Sequence, residues 1–170
     1  MKKLHYTLFI VTILINTIAL ASCRSNKKTT TVVQEQPADS LVAYLERTPC
    51  FGKCPYYSVH IYRSGYTLYE GKRDVEKTGR YYTWLSKDKV ESIGKKAEEL
   101  NYFNLNDEYR NPHLTDFPTI YSEIRHDGKK KKITHYEVNP PESLVKMEDF
   151  IDSLLTDVTW ILHPDQGTRE

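Results

Sequence analysis

The sequence predicts an α+β domain in which an antiparallel sheet of about five strands carries two helices on one face. Three observations predict this fold: short segments in which apolar and polar residues alternate, polar-glycine connections between such segments, and two segments with apolar residues at helical spacing. Hairpin connections make successive strands antiparallel, and helices that follow strand pairs cover one side of a sheet. The expected order of elements is β-β-β-α-β-β-α.

Five segments alternate as strands do, at residues 56–63, 66–70, 80–85, 119–125 and 131–138. Ser64-Gly65 separates the first two segments, and Asp127-Gly128 lies between the last two. Glycine supplies the positive φ that a tight hairpin connection needs. The sequence therefore predicts two hairpins, the first of which is followed by a third strand.

Two further segments carry apolar residues three and four positions apart, as one face of a helix does. These residues are Val90, Ile93, Ala97 and Leu100 in the first segment and Leu144, Met147, Ile151 and Leu154 in the second. Ser86 offers a capping hydroxyl before the first segment, and Pro140-Pro141 precede the second. We expect amphipathic helices over residues 87–101 and after Pro141.

A long loop is expected at residues 104–118, which are rich in Asn, Asp and Pro. Loops often carry binding and catalytic residues. Asp116 precedes Phe117-Pro118 and is a candidate catalytic acid, but an Asp at such a turn usually hydrogen-bonds to its own backbone. We favour the turn, and we assign no catalytic residue.

The N-terminal segment has the pattern of a secretory signal peptide. Lys2 and Lys3 precede an apolar run over residues 8–21, which is shorter than the roughly 20 residues needed to span a bilayer. The run ends in Leu20-Ala21-Ser22-Cys23, which resembles the bacterial lipobox, whose cysteine carries diacylglycerol. We expect a signal peptide over residues 1–22 and lipidation of Cys23. The alternative is an ordinary secretory signal with a chance cysteine at its end.

The chain after the signal peptide divides into three expected parts. Residues 23–40 are polar and form a lipidated flexible tether, residues 41–162 form a single globular domain, and residues 163–170 form a disordered tail. The lipid attaches the protein to a membrane of the cell envelope. Because Arg24 rather than Asp follows the lipidated cysteine, the outer membrane facing the periplasm is the expected location.

The charge of the chain argues against binding to nucleic acid. Removal of residues 1–22 removes two lysines and no acid, so the mature chain has 22 basic and 23 acidic side chains. A protein that neutralises phosphates needs a basic surface, which a formal charge of −1 does not provide.

Cys50 and Cys54 are the only cysteines left once Cys23 is lipidated. Paired cysteines in an oxidising compartment usually form a disulfide, which is the bond we expect here. The segment Cys50-Phe51-Gly52-Lys53-Cys54-Pro55 also looks like the motif of thioredoxin-like copper chaperones, so a thiol-redox or copper-binding site is the alternative. Those motifs open a helix, which lowers the thiol pKa, whereas strand alternation follows here.

Four residues are candidate metal ligands: His60, His113, Asp116 and His135. His60 and His135 lie on the two predicted hairpins and would form a site if they faced each other across the sheet. Their spacing is not diagnostic of a metal site, and isolated strand histidines are more often solvent-facing or hydrogen-bonded core residues. We expect no metal and no cofactor.

Tyrosine is the one residue type in surplus, with thirteen in the chain. Tyr56, Tyr62, Tyr69 and Tyr81 include positions that alternate away from the presumed core face. A monomer gains little from a large exposed ring unless a partner covers it. These four tyrosines are therefore the candidate binding surface.

The sequence is similar to an uncharacterised bacterial domain-of-unknown-function family, of the 6438 type, that is found in exported lipoproteins. The resemblance covers residues 40–161 and rests on four features: the Cys-x-Gly-x-Cys-Pro-x-Tyr opening at residues 50–57, the hairpin at residues 65–71, Thr115-Asp116-Phe117-Pro118-Thr119, and the closing helix with Trp160. It implies an exported domain and no known activity, so no catalytic residue is carried over.

Two classes of function remain open from the sequence. A non-catalytic binding or assembly module, whose partner is an envelope protein or a glycan, fits the missing catalytic motifs and the surplus of tyrosine. An enzyme would need ligands or catalytic groups brought together from the long loop. A deep pocket that joins Asp116, His113 and either Cys50 or Cys54 would favour chemistry, and a flat Tyr-lined surface would favour binding.

Overall fold

The computed structural model describes residues 39–165 of the 170-residue chain. The expected signal peptide, the lipidation site Cys23 and most of the expected tether lie outside the described residues, as do residues 166–170 of the expected tail. No helix within residues 39–165 has the length and hydrophobicity needed to cross a membrane.

Within the described range, one eight-stranded sheet carries two α-helices. In chain order the strands are β1 (Leu41–Arg47), β2 (Tyr56–Tyr62), β3 (Tyr66–Arg73), β4 (Gly79–Trp84), β5 (Glu108–Arg110), β6 (Ile120–His126), β7 (Lys129–Tyr136) and β8 (Ile161–Leu162). The helices are α1 (Lys87–Glu99) and α2 (Glu142–Ser153), and a 3-10 turn covers Tyr102–Asn104. Across the sheet the strand order is β5-β7-β6-β1-β2-β3-β4-β8.

The α+β class is confirmed, but the predicted sheet size and element order are wrong because β1, β5 and β8 were not expected. β5 and β8 contain three and two residues, which is too few to show an alternation. β1 has adjacent buried residues, Val42 and Ala43, where its pairing with β2 is irregular. β5 lies inside the expected loop and pairs in parallel with β7, so the sheet is not wholly antiparallel.

Both helices pack on the same face of the sheet, which we call the covered face. Its fully buried side chains are Ala43, Leu45, Val59, Ile61, Ile124 and Ile133 from the strands and Ile93, Ala97, Leu144, Met147 and Ile151 from the helices. Ala43 pairs with Ile61 on one side and with Ile124 on the other, so these three side chains share a face. We call the opposite side the open face, because neither helix packs on it.

The expected disulfide joins Cys50 to Cys54, with the two Cα atoms 5.6 Å apart, within the range that the bond requires. The loop that it closes precedes β2 and not a helix. The loop is held in place at two points, because the Phe51 N–H donates to the Asp116 carbonyl and Arg73 donates to the Cys50 carbonyl. The bond therefore fixes the entry of the chain into β2.

A buried ion pair connects the sheet to α2. Nδ1 of His135 on β7 lies 3.1 Å from both carboxylate oxygens of Glu148, which is 1% exposed, and Nε2 lies 3.0 Å from the Glu137 carbonyl oxygen. Both ring nitrogens thus face acceptors, which is the arrangement of a doubly protonated imidazolium. Burial alone would lower the pKa of His135, but the hydrogen bond to Glu148 and its charge outweigh burial and raise that pKa above 6.5.

We predict that the double substitution Cys50→Ser, Cys54→Ser lowers the free energy of unfolding by about 2 kcal/mol, because so short a loop restricts the unfolded chain only modestly. Urea unfolding measures this loss. Thiol labelling of the denatured, unreduced wild-type protein should leave both cysteines unmodified. Labelled thiols that bind copper at submicromolar affinity would contradict a structural role for the pair.

We predict that the ion pair makes the unfolding free energy depend on pH. Because the pKa of His135 is raised in the folded state, its stabilising contribution is complete below pH 6.5 and is lost as the pH rises through the folded-state value. Glu148→Gln should cost about 2 kcal/mol at about pH 6 and clearly less at about pH 9. Urea unfolding of both proteins across this range tests the claim, and a cost that does not change with pH would contradict it.

Candidate functional site

A continuous row of aromatic side chains crosses the open face from β1 to the residue after β8. The row contains Tyr44, His60, Tyr62, Tyr66, Tyr82, Trp84 and His163. The strand register places them together, since Tyr44 pairs with His60 and Tyr66 pairs with Trp84. We call these seven residues the aromatic row.

The rings of the aromatic row contact one another closely. Successive ring centroids are between 4.7 and 6.5 Å apart. His60 and Tyr62 are inclined by only 17°, and Tyr66 and Tyr82 by 22°. Because side chains of a strand stand roughly perpendicular to the sheet, stacked neighbours present their edges and polar tips to solvent rather than their ring faces.

An exposed apolar corner borders the aromatic row at Trp84. Trp84 is 60% exposed, and it lies in edge contact with Tyr66, whose centroid is 5.3 Å away. The two residues of β8, Ile161 and Leu162, are exposed at the neighbouring edge of the sheet. Large apolar groups that are exposed together, rather than singly, mark interaction sites in soluble domains.

Burial and neighbouring polar groups determine the protonation of Tyr44 and His60, the residues of the row on β1 and β2. The Tyr44 hydroxyl donates to Glu46 over 2.5 Å, and Lys72 lies 4.0 Å from the same carboxylate and donates to the Tyr56 hydroxyl. Burial, followed by the hydrogen bond to Glu46, raises the pKa of Tyr44, while burial lowers the pKa of His60. The tyrosine therefore stays a donor and the histidine stays neutral at physiological pH.

The four tyrosines predicted as one surface lie on two faces. Tyr56 and Tyr62 are on the open face, whereas Tyr69 and Tyr81 pair with each other on the covered face. Tyr69 stacks on Tyr57 and contacts Trp160. The expected single surface of all four residues is thus corrected to two separate ones.

The tyrosines lie on two faces because the connection between β2 and β3 is one residue longer than predicted. A two-residue connection would have placed Tyr69 opposite His60, but three residues separate β2 from β3, so His60 lies opposite Leu68. A register shift of one residue moves every side chain of a strand to the other face. In this register Tyr66, Tyr82 and Trp84 lie on the face of Tyr62, and the alternation of the sequence did not predict them as part of the surface.

The other candidate residues are not brought together. His60 is on the open face and His135 is buried on the covered face, with β1 and β6 between their strands. His113 and Asp116 are exposed, and Asp116 has a φ of 59°, as expected at a turn. Neither the cleft beside Trp84 and Ile161 nor the cleft beside Tyr69 and Trp160 is lined by His113, Asp116 or either cysteine.

One group of three potential metal ligands occurs within residues 39–165, and it was not anticipated. Glu98, His126 and Asp127 have ligand atoms within 4.8 Å of one another at the surface. The Lys129 ammonium already lies 3.1 Å from the Glu98 carboxylate and would compete with a cation. We therefore assign no function to this group.

Comparison with known proteins identifies the domain but not an activity. The chain matches no curated protein. A family model described as a domain of unknown function, DUF6438, matches residues 42–155, about two thirds of the chain. The matched range contains the disulfide, both hairpins and both helices. The chain therefore belongs to the DUF6438 family of domains of unknown function.

Proposed function

We propose that this protein is a lipid-anchored lipoprotein of the bacterial cell envelope whose domain binds a partner protein through the open face, without catalysis. The aromatic row is the observation that carries the proposal. Seven rings in mutual contact lie on a sheet face that neither helix covers. Tyrosine and tryptophan dominate the binding energy of protein interfaces, where they occupy the desolvated centre.

The orientation of the rings favours a protein over a glycan as the partner of this face. A sugar stacks on an open ring face, whereas two pairs of the row, His60 with Tyr62 and Tyr66 with Tyr82, turn their ring faces toward each other. Ring edges and hydroxyl groups remain available, and these suit the mixed apolar and hydrogen-bonding contacts of a protein interface.

The charged residues beside the aromatic row indicate which kind of partner surface would fit. On β6 and β7, the open-face residues Glu123, Arg125, Lys130 and Lys132 comprise three cations and one carboxylate. Glu123 contacts both Arg125, at 2.7 Å, and Lys130, at 3.6 Å. The surplus of positive charge on this half of the face favours a partner whose apolar patch is bordered by acidic side chains.

The N-terminal segment supplies the proposed location. Lipidation at Cys23 would leave a tether of 18 residues, 23–40, before β1. A flexible chain of that length has an end-to-end distance of about 25 Å, so the domain would remain close to the membrane that carries the lipid. The absence of Asp after Cys23 favours the outer membrane, with the domain facing the periplasm.

The surroundings of Cys50 and Cys54 favour a structural bond over thiol-redox or copper chemistry. The disulfide precedes β2, so no helix N-terminus lowers the pKa of either thiol. The group of potential metal ligands found within residues 39–165 includes neither cysteine.

We predict that Cys23→Ser releases the protein from membranes into the soluble envelope fraction, because the variant has no thiol to acylate. Fractionation followed by immunoblotting measures the release. Ser22→Ala, which keeps the cysteine and a small residue before it, is the matched control and should remain in the membrane fraction. An unmodified wild-type N-terminus in the intact mass would contradict lipidation.

We predict that a photo-crosslinking amino acid at position 84 captures one discrete protein in the native envelope. Position 51 is the matched control, because Phe51 is an aromatic residue that is 91% exposed in the disulfide loop, away from the aromatic row. Crosslinking at both positions to the same extent, or at neither, would contradict the proposal.

With the captured protein purified, the triple variant Tyr62→Ser, Tyr82→Ser, Trp84→Ser should weaken binding at least 100-fold. Truncation of central aromatic residues in interfaces costs about 2 kcal/mol or more each. The melting temperature should change by only a few degrees, because these side chains lie outside the covered core. Phe51→Ser should leave the affinity unchanged. Binding that survives the triple substitution would contradict a role for the row.

A further inference from the structure

A second surface feature lies on the covered face, at the side of α2. It is an open cleft of about 790 Å³, between the β3–β4 connection and the segment that follows α2. Tyr57, Tyr69 and Trp160 form its aromatic wall, and Asp152, Glu76 and Lys77 supply polar groups. We call it the tyrosine cleft. Its volume is in the range of small-molecule sites, which is roughly 300 to 1,000 Å³.

The three rings of the tyrosine cleft form a curved wall. The centroids of Tyr57 and Tyr69 are 5.6 Å apart with an interplanar angle of 28°, and those of Tyr69 and Trp160 are 5.3 Å apart with an angle of 45°. Tyr57 and Tyr69 are thus stacked, whereas Trp160 is tilted against Tyr69, so the wall turns at Trp160. All three rings line the cleft, so aromatic surface borders its space.

The absence of a side chain at Gly71 allows the Tyr69 ring to lie against the backbone of the sheet. Gly71 is opposite Tyr57 in the register, and a Cβ atom at this position would come within 2.9 Å of the Tyr69 ring and would clash with the Lys77 carbonyl. The missing side chain lets the ring settle over the backbone and lets the β3–β4 connection approach. Strand glycines commonly mark such close contacts, and here the contact builds the cleft.

The polar groups of the cleft are paired and fixed. Asp152 accepts from the Tyr57 hydroxyl at 2.6 Å and from Arg47 Nη2 at 2.7 Å, and Lys77 donates to Glu76 at 3.1 Å. Because each carboxylate faces a cation, the cleft attracts neither free anions nor free cations strongly. Carboxylates and guanidinium groups nevertheless keep spare acceptor and donor positions, which are already oriented by these pairs.

The tyrosine hydroxyls remain donors in this setting. Burial, followed by the charge of Asp152, raises the pKa of Tyr69 to about 12, and the same two causes raise the pKa of Tyr57. Both hydroxyls are therefore protonated throughout the physiological range, and both add to the hydrogen-bonding groups along the wall.

We propose that the tyrosine cleft binds a short neutral oligosaccharide. A pyranose ring has an apolar C–H face, which packs on open aromatic surface, and a rim of hydroxyls, which donate to carboxylates and accept from guanidinium, ammonium and phenol groups. The tilted rings of Tyr69 and Trp160, beside charge-balanced polar pairs, meet both requirements at once. The site is separate from the aromatic row, so it does not depend on the proposed function of the open face.

The experiment is a calorimetric titration of the purified full-length protein with four neutral trisaccharides: maltotriose, cellotriose, mannotriose and chitotriose. Tetramethylammonium chloride and trigalacturonate are the charged comparators. We expect at least one neutral trisaccharide to bind with a dissociation constant of about 1 mM or lower, and neither comparator to bind. Failure of all four trisaccharides, or equal binding of a charged comparator, would overturn the proposal.

The tryptophans locate the binding site, because Trp84 and Trp160 are the only two in the chain. In a Trp84→Phe background, the bound trisaccharide should shift the Trp160 emission, and in a Trp160→Phe background the Trp84 emission should not respond. Asp152→Asn should weaken binding at least tenfold. If that variant unfolds, Glu76→Gln, at a position with an exposed side chain, is the second variant and should weaken binding measurably. A response from Trp84 alone would place the sugar elsewhere and overturn the assignment.

Discussion

β1 is hydrogen-bonded along both of its edges, to β2 on one side and to β6 on the other. Within residues 39–165, the unit made of β2, β3 and β4 and the hairpin of β6 and β7 meet in the sheet only through this strand. Ala43 and Leu45 are completely buried, so β1 also carries the centre of the core on which both helices pack. Without β1, two smaller sheets would each be left with an unpaired edge and only part of the core.

The sheet that β1 completes is wider than two helices can cover. The helices pack over the strands around β1, where the buried apolar residues are concentrated, and the far strands β3, β4 and β8 extend beyond them. On the covered face this leaves space beside α2 for the tyrosine cleft. The aromatic row is uncovered for a different reason, because both helices pack on the opposite face of the sheet.

Short sequence patterns were sufficient to predict the features that depend on residues close together in the chain. Ser86 caps α1 through a bond from the Lys89 N–H, and the disulfide connects the two expected cysteines. The position of β1 has no local cause, because its partners Ile61 and Ile124 lie far along the chain. The faces of Tyr69 and Tyr81 were also beyond a local pattern, since a single extra residue in the connection between β2 and β3 decides them. The tyrosine cleft depends on Trp160 and Asp152 meeting β3, which is again a contact between distant segments.

Tyrosine occurs on both faces, yet its surroundings give it two different chemical roles. In the aromatic row, the rings contact one another from strand to strand, and two of the pairs are near-parallel. On the covered face, Gly71 and Gly79 stand opposite each other and remove two side chains, which lets the Tyr69 ring lie over the backbone. The side chains missing at this glycine pair, and not the tyrosines themselves, therefore account for the cleft. A side chain introduced at Gly71 must displace the Tyr69 ring or the β3–β4 connection, and in either case it changes the cleft and leaves the open face as it was.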